Sequence, residues 1–217
     1  MLPPYTTLAR TFTRDLPMKL YYAPQACSLA SHIVLRELQL PFEAIRVDNR
    51  SKRTADGRDF LAINPKGYVA ALQLDDGQVL TEGPAILQYL ADLKPESGLA
   101  AANRSWERVR LQETLNFITS EVHGIMGWLF NPGFDDGVKE VFKQKLFKRL
   151  ALLEQTLEHQ DYLQGAQFGI ADAYLFTVLR WTALFAINLA NWPALSRFQA
   201  RVEQRPAVRD ALALELA

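Results

Sequence analysis

The chain has almost no cysteine and little histidine: one Cys and three His among 217 residues. A single thiol excludes an intramolecular disulfide framework and fits a reducing compartment, so a cytoplasmic location is expected. The scattered histidines and that cysteine show no zinc-ligand spacing, and no metal is expected. Net charge is missing as well, because Lys plus Arg and Asp plus Glu both number 24. The overall field therefore draws the chain neither to nucleic acid nor to an anionic membrane. A basic stretch at 46–58 is interrupted by Asp48 and Asp56 and reads as a solvated surface. No apolar run reaches the roughly eighteen residues of a membrane span. There is no internal repeat or low-complexity tract. What is present is a 49% hydrophobic content, ample for a packed core in one domain or two modest ones.

The most informative stretch is 64–92, NPKGYVAALQLDDGQVLTEGPAILQYLAD. Short apolar runs at 70–74 and 78–80 flank Asp75-Asp76-Gly77, a hairpin signal. Pro84 then suits a first helical turn, where its missing N–H costs nothing. Ile86, Leu87 and Leu90, with Tyr89 beside them, form an apolar face that would lie on the hairpin. A strand thus delivers Glu82 and Gly83 to a helix start, whose free amides and positive dipole end favour a carboxylate or phosphate. Glu82 adds a negative charge beside that anion site. A ligand carrying both an ammonium and a carboxylate, such as an amino-acid head group, satisfies the pair; a capped helix with an exposed acid is the plainer alternative.

Residues 1–17, hydroxyl-rich and with a single acid, read as a poorly ordered extension that faintly resembles a transit peptide. Residues 19–22 read as a strand, 23–26 as a loop, Cys27-Ser28 as a helix start, and 42–47 as a second strand. Strand, helix, strand over so short a span implies a parallel crossover. A helix at 55–62 is expected next, before the hairpin, giving βαβ followed by αββα, the thioredoxin-like α/β arrangement. Residues 95–103 read as a linker between an α/β domain at 18–94 and an all-α domain at 104–217. In the latter, helical patterns fall at 106–130, 138–159, 170–187, 192–202 and 207–216, and the third, apolar on most sides, should be the buried centre of the bundle.

Four strings in order, YYAPQACSLASHIVLRE, FLAINPKGYV, LDDGQVLTEGPAILQYLAD and IADAYLFTVLRW, resemble cytosolic glutathione transferases, and among them the bacterial beta class, over 18–217. The resemblance implies a glutathione-dependent enzyme of detoxification type, with glutathione as co-substrate, a small electrophile as second substrate, and a homodimer. It implies that Cys27 faces the glutathione thiol, and a helix start there would make Cys27 acidic; taken without the family, a lone cysteine reads equally as a small buried apolar residue. It implies that Glu82 pairs with the ammonium of the γ-glutamyl end and the Gly83 amide with its carboxylate, that the Val69 main chain pairs with the cysteinyl part, and that Lys52 stands near the glycyl carboxylate. It further implies that His123 enters the site from the helical domain, and that Tyr174 and Trp181 lie near the second-substrate pocket, although a histidine on a helix and two aromatics in a core need no such role.

Three positions depart from the family pattern. Ala70 stands where the family has a proline preceded by a cis bond, so that bond is either kept without proline or the loop presenting Val69 is reshaped. Either outcome is expected to weaken glutathione binding or the domain, which leaves a non-catalytic binding or scaffold protein as the rival reading. Gly169 replaces the serine or threonine that caps the central helix, at a cost of a few tenths of a kcal/mol. Gly124 replaces a lysine and removes a positive charge from the pocket. The leading expectation is conjugation of the glutathione thiolate to electrophiles, with thiol–disulfide exchange through Cys27 as a variant of it.

Overall fold

A computed structural model describes residues 18–216; the expected extension at 1–17 lies outside the described residues. Strand β1 (Met18–Tyr22) leads into α1 (Leu29–Glu37) and β2 (Phe42–Asp48), and β1 and β2 pair in parallel. A hairpin of β4 (Ala71–Gln73) and β5 (Val79–Thr81), preceded by the short β3 (Arg53–Thr54), completes a five-stranded sheet of order β3-β2-β1-β4-β5. Gly77 takes φ 82 at the hairpin turn, a conformation that Gly adopts without a Cβ clash. Alternation in β1 splits the interior, with Leu20 and Tyr22 packing into the main core and Tyr21 into a smaller cluster with Phe60 and Val69 on the opposite face.

The helix expected at 55–62 is not formed. Arg53 and Thr54 extend the sheet instead, Gly57 turns with φ 85, and only Phe60–Ala62 forms a single 3-10 turn. Local side chains compete with helical backbone here: Asp56 accepts from Thr54 and from Arg58 Nε, and Asp59 caps Leu61 N–H at 3.0 Å. Phe60 is fully buried, its ring 5.8 Å from that of Tyr21.

Helix α2 (Gly83–Leu93) follows β5, and the rest is helical: α3 (Trp106–Phe117), α4 (Gly124–Leu129), α5 (Asp136–Glu158), α6 (Ile170–Leu179), α7 (Pro193–Glu203) and α8 (Pro206–Leu216). The pattern at 106–130 is one rod with a π turn at Ile118–His123 between α3 and α4. The pattern at 170–187 is α6 followed by 3-10 turns at Arg180–Phe185. Every residue of α6 is buried, as its all-round apolar sequence requires. It is the post on which α1, α2, α3 and α7 pack. One continuous core runs from Met18 to Ala211 through both domains. Among the described residues no helix is long and apolar enough to cross a membrane.

Candidate active site

Two loops and a helix start meet at the edge of the sheet. Ser28, fully buried, bonds both the N–H and the carbonyl of Ala23 through its hydroxyl, at 3.2 and 3.3 Å. This closes the turn that carries Cys27 just ahead of α1. Across from it, buried Asn64 donates to the Tyr68 carbonyl at 2.8 Å and accepts from Lys66 N–H at 3.2 Å, fixing the loop that ends at Val69. The Val69–Ala70 bond is cis, so the loop keeps the form expected with proline and is not reshaped. The Cys27 thiol donates to the Val69 carbonyl at 3.2 Å.

Glu82 sits at φ 70 and ψ 113 between β5 and α2, a sparsely populated positive-φ conformation that costs a non-glycine residue of order 1 kcal/mol and recurs at functional sites. It leaves Gly83 to open α2. A Cβ at Gly83 would meet nothing within 4 Å, so small side chains are tolerated at this lining position.

From the helical domain, the π turn aims Thr119 and His123 into the same space. Such a turn inserts one residue into the helical phase and recurs where a functional side chain must be re-aimed. His123 Nδ1 lies 2.6 Å from the Tyr174 hydroxyl. Burial holds the His123 imidazole below its ordinary range and raises the Tyr174 phenol, so both are neutral near pH 7. Gly124 has a local reason as well: a Cβ there would stand 3.2 Å from the Thr119 carbonyl inside the turn.

Cys27, Val69, Ala70, Glu82, Gly83, His123 and Tyr174 line one cavity of about 220 Å³ together with Asn64, Lys66, Tyr68, Thr81, Pro84 and Thr119. Two expected residues stand elsewhere. Lys52 donates to the Gly67 carbonyl at 2.8 Å and lies 5.7 Å from the Tyr68 ring centroid, behind the loop. Trp181 is buried behind His123 with ring centroids 5.0 Å apart, and its indole N–H donates to the Gln25 carbonyl at 2.8 Å. It therefore ties the Cys27 turn to the helical domain.

The expected acidity of Cys27 is corrected by the structure. Desolvation pushes the thiol up to about 11, backbone hydrogen bonds at Cys27 and Ala70 offset this only in part, and Glu82 and Glu215 add to it. The half-buried sulfur lies ahead of the first helical residue and donates to a carbonyl, so it gains little from the helix dipole. The cap lost at Gly169 also has a cause: a Cβ there would approach the Leu99 carbonyl to 2.9 Å. The other half of the capping box remains, Asp172 taking Gly169 N–H and Leu163 N–H at 2.8 Å each. Sequence reasoning missed Asn64, Lys66 and Thr119. The first two lie inside the quoted string FLAINPKGYV, whose Asn-Pro-Lys-Gly turn was the available signal.

Among the described residues no group of three His, Cys, Asp or Glu is placed to hold a metal ion. The family profile described as "Glutathione S-transferase, N-terminal domain" matches residues 26–93, and "Glutathione S-transferase, C-terminal domain" matches 121–206. The chain is 46% identical over 198 residues to glutathione S-transferase GstA of Escherichia coli O157:H7, covering 91% of this chain and 98% of that one. Among solved structures it resembles a ternary complex of BphK, a bacterial GST, with a TM-score of 0.90 and 53% identity over 92% of this chain and all of that one. A sphingomonad glutathione S-transferase complexed with glutathione gives a TM-score of 0.88 and 45% identity, over 91% of this chain and 98% of that one.

Proposed function

The chain belongs to the glutathione S-transferase family, and from that premise we propose that it joins the thiolate of glutathione to small electrophiles in the cavity between its two domains. The observation that carries this reading is the convergence of Glu82 and the Gly83 helix start with His123 and Tyr174 in one cavity. Glu82 receives the γ-glutamyl ammonium, and the first-turn amide at Gly83, at the positive end of α2, receives the carboxylate. The Val69 main chain lies beside the cysteinyl part, which brings the glutathione sulfur towards Cys27 and His123. Lys52 serves the glycyl carboxylate after turning from Gly67.

At that sulfur the neutral groups act as donors. With the Tyr174 phenol donating to Nδ1 of His123, the imidazole proton sits on Nε2, and a donor aimed at a thiolate favours the charged form. Cys27, protonated at neutral pH with its one S–H on the Val69 carbonyl, is not the nucleophile; it becomes a second donor to the sulfur only by turning from that carbonyl. The sulfur of glutathione attacks the electrophilic carbon, the new C–S bond forms as the leaving group departs with its electron pair, and the thiol proton passes to solvent. The electrophile rests against the helical domain near Tyr174, with Trp181 backing the wall. The same reading includes a cytoplasmic homodimer, supported by the large exposed side chains Tyr68 on the first domain and Trp106 and Val109 on α3.

The test is calorimetric titration with glutathione together with conjugation of a chromogenic aromatic halide, on the unsubstituted chain and on Cys27→Ala. Saturable binding and turnover are expected, with conjugation retained in Cys27→Ala within about tenfold. Loss of glutathione binding in the unsubstituted chain returns the scaffold reading. Abolished conjugation in a folded Cys27→Ala makes Cys27 the nucleophile.

A further inference from the structure

Lys66 lines the cavity with its ammonium 2.6 Å from Glu82 Oε1 and 3.1 Å from Thr81 Oγ1. Glu82 is the carboxylate that receives the ligand's ammonium on the reading above. That seat is thus already paired with a cation of the protein itself. Both partners are held from behind: buried Asn64 fixes the Lys66 backbone, and the φ of 70 at the β5–α2 junction fixes Glu82. The two charged ends are themselves exposed, at 55% and 66% of their side-chain surface, so they part without unpacking anything.

We propose that Lys66 sets the charge requirement of the head-group site by exchanging ion pairs with the ligand, an inference that rests on Glu82 and Gly83 being the clamp for glutathione. When a ligand brings ammonium and carboxylate together, its ammonium replaces Lys66 on Glu82. The released Lys66, on a flexible four-carbon stem, turns to the ligand's carboxylate beside the first turn of α2. One pair is broken and two are made, and no charge is left alone. A ligand with only the ammonium must evict Lys66 with nothing to receive it. A ligand with only the carboxylate meets a Glu82 still neutralised by Lys66. Lys66 therefore weighs against a ligand that brings the ammonium alone and screens Glu82 for one that brings the carboxylate, so it acts as a specificity-determining residue.

The experiment is calorimetry on the full chain and on Lys66→Gln, with glutathione, with glutathione lacking its α-amino group, and with glutathione lacking its α-carboxylate. Lys66→Gln should bind the ammonium-only analogue about two- to fivefold more tightly than the unsubstituted chain and the carboxylate-only analogue about two- to fivefold more weakly, the range an exposed ion pair supports. Affinity for glutathione itself should change less than for either analogue, and Lys66→Arg should behave as the unsubstituted chain. Shifts of the same sign for both analogues, or no shift, overturn the exchange while leaving glutathione binding intact. Failure of the unsubstituted chain to bind glutathione overturns the clamp itself, and the exchange with it.

Discussion

At pH 7 the Cys27 sulfur carries its proton, because burial outweighs the backbone hydrogen bonds and pushes the group from 9.0 up to about 11. Two units correspond to about a hundredfold less thiolate. Alkylation of Cys27 by iodoacetamide at pH 7 should accordingly run about a hundredfold slower in the folded chain than in the same chain unfolded by urea, and should climb about tenfold per pH unit up to pH 10. Equal rates in the two states would mean that the helix start dominates after all. The residue's neighbourhood was legible in its sequence, since the apolar helical pattern that follows Cys27-Ser28 marks a helix start, which the structure sets at Leu29. Its protonation was not. That depends on the Val69 carbonyl, 42 positions away, and on Glu82 and Glu215, farther still. Lys66 escaped notice for the same reason, because its significance lies in a partner 16 residues away across the hairpin.

At the scale of elements, the segments whose residues choose their own conformation were the readable ones. The turn at Asp75-Asp76-Gly77, the start of α2 at Pro84 and the all-round apolar α6 each follow from local chemistry. The stretch 55–62 was misjudged because its helical look is outbid by side-chain acceptors at Asp56 and Asp59 and by the pull of Phe60 towards Tyr21. The π turn left no periodic trace, since one added residue within twenty-four hardly alters the apolar spacing. The start of α6 carries a prediction of its own. Burial, the largest effect on Asp172, pushes its carboxyl from 3.8 up to about 7 against the two amides that hold it down. The native state then binds this proton more tightly than the unfolded chain does. The group's contribution is therefore full below about pH 4 and is lost as pH rises through 7. Urea midpoints measured from pH 4.5 to 7.5 should show this falling component in the unsubstituted chain and lack it in Asp172→Asn. An unchanged slope in that variant would show that the carboxyl is ionised throughout and that the amides prevail.

Across the whole molecule, the two domains are joined by more than a linker. Arg108, nearly fully buried, forms a bidentate pair with Asp92 at 2.6 and 2.9 Å, Arg205 does the same to Glu37 at 2.6 and 2.9 Å, and Trp181 holds the Gln25 carbonyl. Trp181→Phe keeps a ring against His123 and removes only the N–H. It should cost about 1 kcal/mol of stability, lower kcat for conjugation more than it alters KM for glutathione, and leave a single cooperative unfolding transition. A variant with unaltered kcat would confine Trp181 to packing. The partition into an α/β half and a helical half was visible in the change of period near residue 95, but the sharing of one core was not, because no sequence pattern says which distant helix covers an apolar face. The sharing of that core also bears on the order in which the chain is made. Helix α1 packs on α6 and α8, elements that leave the ribosome more than 130 residues after it. The first half of a nascent chain therefore emerges with that face of α1 uncovered, and it stays so until α6 and α8 have been made.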